Sequence, residues 1–288
     1  MNIRSIVMIA ALLVIGVLDF GNLFHVSGST NATLTLLAGL VFVVAHGSAA
    51  FGWRNIAAFI AITFVVSFTS EVIGVATGLV FGPYHYTDLL GPKLLGVPPL
   101  IQLGYLAVGY ASMVMGRIIL SLLAPVRQWA IFAAAVAGSF IMVSWDVAMD
   151  PYQSTVSGDW IWHTGGPYFG VPLHNYAGWF GTVFLFMLVY FIYASRYTEE
   201  PQPDATNNPT AFWSLPVVLY ALFALGIIVT PLAGGIEYPY ASPANYNGAP
   251  QVLGPSLSLI AIFVMGSPVV FALSRLLTKR SVDRTFVA

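Results

Sequence analysis

The sequence predicts an all-α, polytopic membrane protein, and three features lead to this fold class: its composition, its long apolar segments and the distribution of its basic residues. Of 288 residues, 58% are hydrophobic and only 7% are charged, and the mean hydropathy is +0.84. An average soluble domain has about 25% charged residues. The apolar segments lack the alternation of a transmembrane β-barrel, and backbone polar groups in lipid must be satisfied within each segment, so helices are expected. We expect residues 1–288 to form one integral membrane domain in the cell membrane.

Eight apolar segments are long enough to cross a hydrocarbon core of about 30 Å, which takes about 20 helical residues. Their approximate ranges are 4–24, 32–51, 55–79, 98–123, 128–150, 173–196, 211–232 and 255–277. Gly, Pro and Asn lie at the breaks between them, as expected at helix ends. The first segment has the charge and apolar run of a signal peptide but lacks a small-x-small cleavage site, so we expect it to be retained as the first span.

The basic residues predict the orientation of these spans. If the N-terminus is cytoplasmic, Lys93 alone lies on the outer side, and the other nine Lys and Arg residues lie on the inner side. Cytoplasmic loops are enriched in Lys and Arg, so both termini are expected to be cytoplasmic. The polar, Pro-containing segment at 198–210 is then an inner linker. The nine inner residues are Arg4, Arg54, Arg117, Arg127, Arg196, Arg275, Lys279, Arg280 and Arg284.

The acidic residues within the predicted spans lie on the outer side. A carboxylate in a hydrocarbon environment is energetically costly, which indicates a specific role for these residues. Asp146 and Asp150 are four residues apart on the fifth helix, so they share one face until Pro151 ends the helix. Glu71 lies in the outer half of the third helix and has no Lys or Arg within a helical turn, so burial favours the neutral carboxylic acid, a proton donor. The alternative for all three acids is a structural hydrogen bond between helices. Asp19 is expected to cap a helix end or reach the interface.

Two predicted outer loops resemble one another, and each leads into a helix. They read GPKLLGVPPL at 91–100 and GPYFGVPL at 166–173. Glu71 precedes the first Gly of one loop by twenty residues, and Asp146 precedes the first Gly of the other by twenty. We infer a duplication in which residues 55–123 correspond to residues 128–196, with one acid at the same depth in each half.

Aromatic and hydrogen-bonding residues lie in these loops and at the neighbouring helix ends, where they are placed to cap a pocket between helices. The candidates for contact with a substrate are Tyr84, His85, Tyr86, Asp88, Trp145, Trp162, His174 and Asn175. For the histidines the alternative is a solvated loop position. The alternative to a ligand role is the aromatic belt at a membrane interface for Trp160, Trp162, Trp179 and Tyr168. The spacing of the histidines forms no recognisable metal-binding pattern, and the chain has no Cys, so neither a metal site nor a disulfide is expected.

Three motifs, in this order, resemble the carotenoid-biosynthesis integral membrane protein family. They are EVIGVATGLVFGPYHYTDLLGPKLLGVP at 71–98, SWDVAMDP at 144–151 and GGPYFGVPLHNYAGW at 165–179. The resemblance runs from the third to the sixth helix. Known members of that family resemble carotenoid hydratases that act on γ-carotene, lycopene or the fifty-carbon bisanhydrobacterioruberin. It implies addition of water across the terminal isopropylidene double bond of an acyclic carotenoid, without a cofactor. The family's motif acids fall on Glu71, Asp88, Asp146 and Asp150.

Hydration of such an alkene requires a positioned acid, stabilisation of a tertiary cation and delivery of water to that cation. Asp146 or Glu71, kept neutral by burial, is expected to donate the proton. Asp150, nearer the aqueous end, is expected to stabilise the cation and to orient or deprotonate the water. Aromatic faces are expected to add cation–π stabilisation, from Trp145, Tyr84 or Trp162.

Other functions remain open on the sequence alone. A carotenoid cyclase or isomerase begins with the same protonation and quenches the cation internally. A prenyltransferase needs a second acidic cluster for Mg²⁺ and diphosphate, which the sequence lacks. A transporter would need acids on the inner half, and a non-catalytic carotenoid-binding protein would tolerate neutral residues at the three acids. The expected partners are an acyclic carotenoid, water, the lipid bilayer and other membrane enzymes of the same pathway. With a net charge of −1, no nucleic acid is expected.

Overall fold

The computed structural model describes residues 3–22, 29–121, 128–197, 208–233 and 253–278. Within these ranges the eight predicted segments are all helical, with ends that differ from the prediction by a few residues. The helices are α1 (Ile3–Asn22), α2 (Ser29–Phe51), α3 (Trp53–Thr77), α4 (Leu100–Ile119), α5 (Gln128–Tyr152), α6 (Leu173–Ala194), α7 (Pro209–Ala233) and α8 (Leu253–Thr278). Most of the predicted linker, 198–207, lies outside the described residues, as do Arg127, Lys279, Arg280 and Arg284.

Six of these helices are long and apolar enough to cross a membrane, judged by length and composition: α2, α3, α5, α6, α7 and α8. The prediction of an all-α, polytopic membrane protein is therefore confirmed. Glu71, Asp146 and Asp150 lie toward the end of the bundle where α3 and α5 finish and α4 and α6 begin, which we call the acidic end.

Helix α4 lies at the centre of the bundle and packs against α2, α3, α5, α7 and α8. Fifteen of its twenty residues are buried, including Gln102, Tyr105 and Tyr110. Because neighbouring helices rather than lipid surround α4, it can carry polar side chains that a lipid-facing helix could not.

A two-stranded antiparallel sheet joins the loop after α3 to the loop after α5. Strand β1 (Tyr84–Tyr86) pairs with β2 (Trp160–Trp162), with His85 opposite Ile161. Side chains alternate between the two faces of a strand, so Tyr84, Tyr86 and Trp162 are buried while His85 and Ile161 are exposed. The sheet therefore ties both loops together over the acidic end.

The two similar loop motifs fold into the same tight turn. Leu94 pairs with Val97 in one turn, and Tyr168 pairs with Val171 in the other. The two central residues of each turn have positive φ, 51° and 84° at Leu95 and Gly96, and 48° and 87° at Phe169 and Gly170. Two central residues with positive φ are typical of two-residue hairpin turns. The shared turn agrees with the predicted duplication, which itself stays a prediction.

The prediction that Pro151 ends the fifth helix is wrong. The α-helix runs to Tyr152 and continues as one wide π-type turn, Gln153–Ser157. The backbone N–H that Pro151 lacks would have bonded to the carbonyl of Val147 in the preceding turn. That carbonyl instead accepts a hydrogen bond from the Tyr168 hydroxyl, at 3.0 Å. The Ser154 hydroxyl donates a hydrogen bond to the carbonyl of Asp150, at 2.8 Å. Asp150 is therefore held within continuous helix rather than at a frayed end.

Candidate active site

Asp146 and Asp150 lie side by side on α5 and are both buried, with relative exposures of 0% and 1%. Asn175, in the first turn of α6, is also buried and lies between them. Its Nδ2 donates to Asp150 Oδ2 at 2.6 Å and to Asp146 Oδ2 at 3.1 Å. One amide group therefore bridges the two carboxyl groups, as expected if their four-residue spacing places them on one face.

The two carboxyl groups have different surroundings. Asp150 Oδ1 accepts a second hydrogen bond, from Trp160 Nε1 at 2.8 Å, so both of its oxygens have a neutral donor. Asp146 Oδ1 is buried and has no hydrogen-bond partner among the described residues. Two donors suit an ionised carboxylate, whereas the unpartnered oxygen leaves Asp146 free to address another molecule.

Glu71 lies in a separate group of hydrogen bonds, made by three tyrosines. Its Oε2 accepts from Tyr84 at 2.5 Å and Tyr86 at 2.8 Å, and its Oε1 accepts from Tyr105 at 2.8 Å. Gly78 ends α3 in the left-handed conformation, so the chain turns back and β1 passes beside Glu71. Burial, and then the neighbouring Glu71 carboxyl, raises the pKa of Tyr84 and Tyr86 well above the usual range, so both remain neutral donors.

The three acids form one electrostatic cluster. Asp146 interacts with both Asp150 and Glu71, and Asp150 interacts with Glu71. Within the described ranges the single ion pair joins Lys93 to Asp88, so no basic side chain neutralises these acids there. Three buried carboxyl groups without a cation would be very costly if all were ionised, so the cluster retains at least one proton.

Aromatic rings cover the cluster. The rings of Tyr105 and Trp179 stack with centroids 4.5 Å apart and an angle of 9°, and Trp145 meets Trp179 edge-on at 6.0 Å. Trp162 packs against Tyr84 at 5.0 Å. The indole Nε1 of Trp162 is directed toward Asp150 but is without a hydrogen bond of good geometry in the described part of the chain. The acids therefore lie in an aromatic, water-poor environment.

Three of the predicted substrate-contact residues lie on the exposed surface instead. Asp88 pairs with Lys93 at 2.8 Å, which lowers the pKa of Asp88. His85 Nδ1 lies 2.8 Å from His163 Nε2 on the outer face of the sheet, so one of these nitrogens donates a hydrogen bond and the other accepts it. His174 is exposed at the start of α6. The structure does not bring these residues into the buried cluster, and their predicted contact with a substrate is untested.

Asp19 lies away from the cluster, between α1 and α7. It is 6% exposed, and a Cβ built on Gly226 would lie 3.0 Å from its Oδ1. Asp19 is therefore covered by α7, and its expected role at a helix end or at the membrane interface stays a prediction.

Several residues of the site are not among the predicted catalytic or substrate-contact residues. Tyr105 lies on α4 among other buried aromatics, and no local pattern indicated that it reaches Glu71. Trp160 had an interfacial belt as its alternative role, yet it binds Asp150. Tyr176 and Trp179 follow the recognised Asn175 on α6 and also belong to the site. In the described part of the chain, no group of three or more His, Cys, Asp or Glu residues is arranged to hold a metal ion.

Comparison with known proteins gives a family match and a match to one relative, and both concern carotenoids. The sequence model of a family described as "Carotenoid biosynthesis protein" matches residues 31–242. A bisanhydrobacterioruberin hydratase from Haloarcula japonica is 31% identical over 163 residues, which is 56% of this chain and 51% of that protein. The chain thus matches about half the length of this relative. No solved structure matches the chain. All residues of the buried cluster lie within the range that the family model matches.

Proposed function

The chain belongs to the carotenoid biosynthesis protein family, and on this premise we propose that it is a hydratase in the cell membrane. In this proposal the enzyme adds water across the terminal C=C bond of an acyclic carotenoid end group and forms a tertiary alcohol. The observation that carries the proposal is the unequal Asp146–Asp150 pair, bridged by Asn175, with one Asp146 oxygen left unpartnered in the described structure. The Haloarcula japonica relative, itself a hydratase, supports the reaction class.

Asp146 is the proton donor in this mechanism. Two buried carboxyl groups that share one donor hold a single proton more readily than two charges. Asp150 accepts from both Asn175 and Trp160, which favours the ionised form there and leaves the proton on Asp146. The unpartnered Asp146 Oδ1 is then the oxygen that delivers the proton to the less substituted alkene carbon.

Asp150 is the base that receives a proton from the attacking water. Its carboxylate lies next to Asp146, so its charge also stabilises the tertiary cation that forms beside both groups. The pair holds one proton before the reaction and one after it. Transfer from Asp150 back to Asp146 restores the starting state, and no cofactor takes part in the proposed reaction.

Glu71 acts as an electrostatic stabiliser rather than as the proton donor. The sequence leaves Asp146 and Glu71 equally eligible as donors. Burial opposes the ionised form of Glu71, but three tyrosine hydroxyls donate to its carboxylate, and such hydrogen bonds favour that form. An ionised Glu71, coupled to both aspartates, lowers the energy of a cation in the cluster.

The substrate end group lies against the aromatic rings that cover the acids. Tyr84, Trp162 and Trp145 offer π faces beside the cluster, and such faces attract a carbocation. They also exclude bulk water, so only a water molecule bound in the site can react with the cation. The polyene enters from the lipid, because a carotenoid is itself dissolved in the bilayer.

The test is expression of the chain in cells that accumulate lycopene and, in parallel, in cells that accumulate the fifty-carbon acyclic precursor. Extracted pigments are separated by chromatography and detected by mass. A product heavier by one or two waters, with unchanged visible absorption, is the expected result. A product of unchanged mass would identify a cyclase or isomerase. Unaltered pigment in both strains, with folded protein in the membrane, would contradict the hydratase and favour a carotenoid-binding protein or transporter.

A further inference from the structure

Three buried polar atoms around the aspartate pair have no hydrogen-bond partner within the described ranges. They are Asp146 Oδ1, Trp162 Nε1 and Tyr176 Oη. Buried polar atoms in folded proteins are almost always paired, with protein or with ordered water. A cluster of such atoms at a proposed reaction centre therefore points to a small polar molecule that binds there.

Tyr176 follows Asn175 in the first turn of α6. Its ring packs edge-on against Tyr168, with centroids 5.6 Å apart and an angle of 82°. The Tyr168 hydroxyl donates to the carbonyl of Val147, the residue after Asp146, at 3.0 Å. Tyr176 also interacts electrostatically with both aspartates. Tyr176 therefore packs against a residue that is bonded to α5, and it lies within electrostatic range of the aspartate pair.

The three groups have complementary hydrogen-bonding capacity. The tyrosine hydroxyl donates and accepts, the indole Nε1 donates, and the carboxyl oxygen accepts once its proton has left. A buried water is stable when it has two to four polar partners. By its hydrogen-bonding capacity the set matches one water molecule, which would have both a donor and an acceptor to orient it.

We propose that Tyr176 Oη and Trp162 Nε1 bind the water molecule that captures the tertiary cation, and that Asp146 Oδ1 accepts a hydrogen bond from this water once its proton has passed to the alkene. This assignment rests on the proposed hydratase function. The π bond breaks as Asp146 transfers its proton to the less substituted carbon. The water oxygen then forms the C–O bond with the tertiary carbon, and one water proton passes to the Asp150 carboxylate. Tyr176 orients the water and is unchanged, so the net reaction adds one H₂O.

The assignment separates two steps that can be measured independently. Protonation requires Asp146 but not the bound water, whereas capture requires the bound water. If the water is lost, the cation returns its proton from the carbon that received it. In D₂O this cycle leaves deuterium in the recovered carotenoid without hydration.

The experiment uses membranes that contain the full-length protein, supplied with lycopene or the fifty-carbon precursor in H₂¹⁸O or in D₂O. For the wild type we expect both ¹⁸O and carbon-bound deuterium in the alcohol. For Tyr176→Phe, which keeps the ring against Tyr168, we expect ¹⁸O incorporation to fall about a hundredfold. Deuterium incorporation into the recovered carotenoid should persist in this variant. Trp162→Phe should show the same pattern: ¹⁸O incorporation should fall, by a smaller factor than in Tyr176→Phe, and deuterium incorporation should persist.

Tyr220→Phe is the matched control. Its hydroxyl is also buried in the bundle but donates to the carbonyl of Ile141, at 2.6 Å, away from the acids. Hydration should be unchanged in this variant. Wild-type ¹⁸O incorporation by Tyr176→Phe would overturn the assignment, and so would loss of deuterium together with ¹⁸O. Absence of ¹⁸O from the wild-type product would instead overturn the hydratase proposal itself, a result distinguishable from either.

Discussion

Asn175 donates through a single nitrogen to Asp146 at 3.1 Å and to Asp150 at 2.6 Å, so one neutral side chain from α6 connects two carboxyl groups on α5. An amide is a fixed donor and cannot take up a proton itself. It therefore holds the two acids together without entering their exchange of a proton. The unequal distances, and the further bond from Trp160 to Asp150, give the two carboxyl groups different roles.

Replacement of Asp146 by Asn should abolish hydration and leave the protein folded. The change keeps the size of the side chain and removes the proposed transferable proton, so turnover should fall by at least about a hundredfold. Pigment analysis measures turnover, and size-exclusion chromatography in detergent checks the fold. The control is Asp159→Asn, because the Asp159 side chain bonds only to Ser157 in the described structure, outside the cluster. Wild-type turnover by Asp146→Asn would eliminate Asp146 as the acid.

Replacement of Asn175 by Leu should lower both stability and turnover. Leu has a similar volume but no donor, so two buried carboxyl groups lose the bond that they share. A hydrogen bond to a charged group contributes about 1.5–3 kcal/mol, which a thermal unfolding curve in detergent resolves as a lower Tm. Asn175→Gln, which retains the amide, should recover part of the loss. Equal Tm values for wild type and Asn175→Leu would mean that the bridge does not form.

The tyrosines around Glu71 should show strong coupling to it. Tyr105→Phe leaves the carboxylate with one donor fewer and should destabilise the protein by about 1.5–3 kcal/mol. In the background of Glu71→Gln the same change should cost less, because the acceptor is no longer charged. A double-mutant cycle measured by thermal unfolding gives the difference, expected at about 0.5–3 kcal/mol. Additive effects would show that Tyr105 and Glu71 do not interact.

The sequence predicted the helices and the shared face of Asp146 and Asp150 because both follow from local pattern, hydropathy and helical period. It did not predict the sheet, because three-residue strands with aromatic side chains lack a pattern that distinguishes them from loops. It also did not predict Tyr105 as a partner of Glu71, since that contact joins α3 to α4 across 34 positions of sequence. The prediction that Pro151 ends the helix was wrong for a related reason: the carbonyl that the proline leaves free is satisfied by Tyr168, which lies 21 positions away in the sequence from Val147.

Gly178 and Gly181 on α6 should respond in opposite ways to alanine. A Cβ at Gly178 would lie 2.0 Å from the carbonyl oxygen of Val80, so α6 and the segment after α3 must separate. Such overpacking costs about 1–3 kcal/mol and should displace β1 and the Glu71 site, lowering both Tm and turnover. A Cβ at Gly181 would meet no atom within 4 Å. Alanine at this position should therefore raise helix stability by up to about 1 kcal/mol. A Tm for Gly178→Ala at or above that of wild type would contradict this close contact.

Asp88 should be dispensable for turnover, although the family resemblance counts it among the motif acids. It is exposed and pairs with Lys93, which lowers its pKa below the value in the unfolded chain. The pair therefore stabilises the fold above a pH of about 4 and loses this contribution as the pH falls through the folded value. Lys93→Met should remove the small, salt-screened contribution of this ion pair to stability. Its Tm should therefore be slightly below that of wild type at neutral pH and equal to it at low pH. Asp88→Asn should keep wild-type hydration. If it instead abolished hydration while Lys93→Met did not, Asp88 would act on the substrate directly, and the outer face of the loop after β1 would have to close over the acidic end during the reaction.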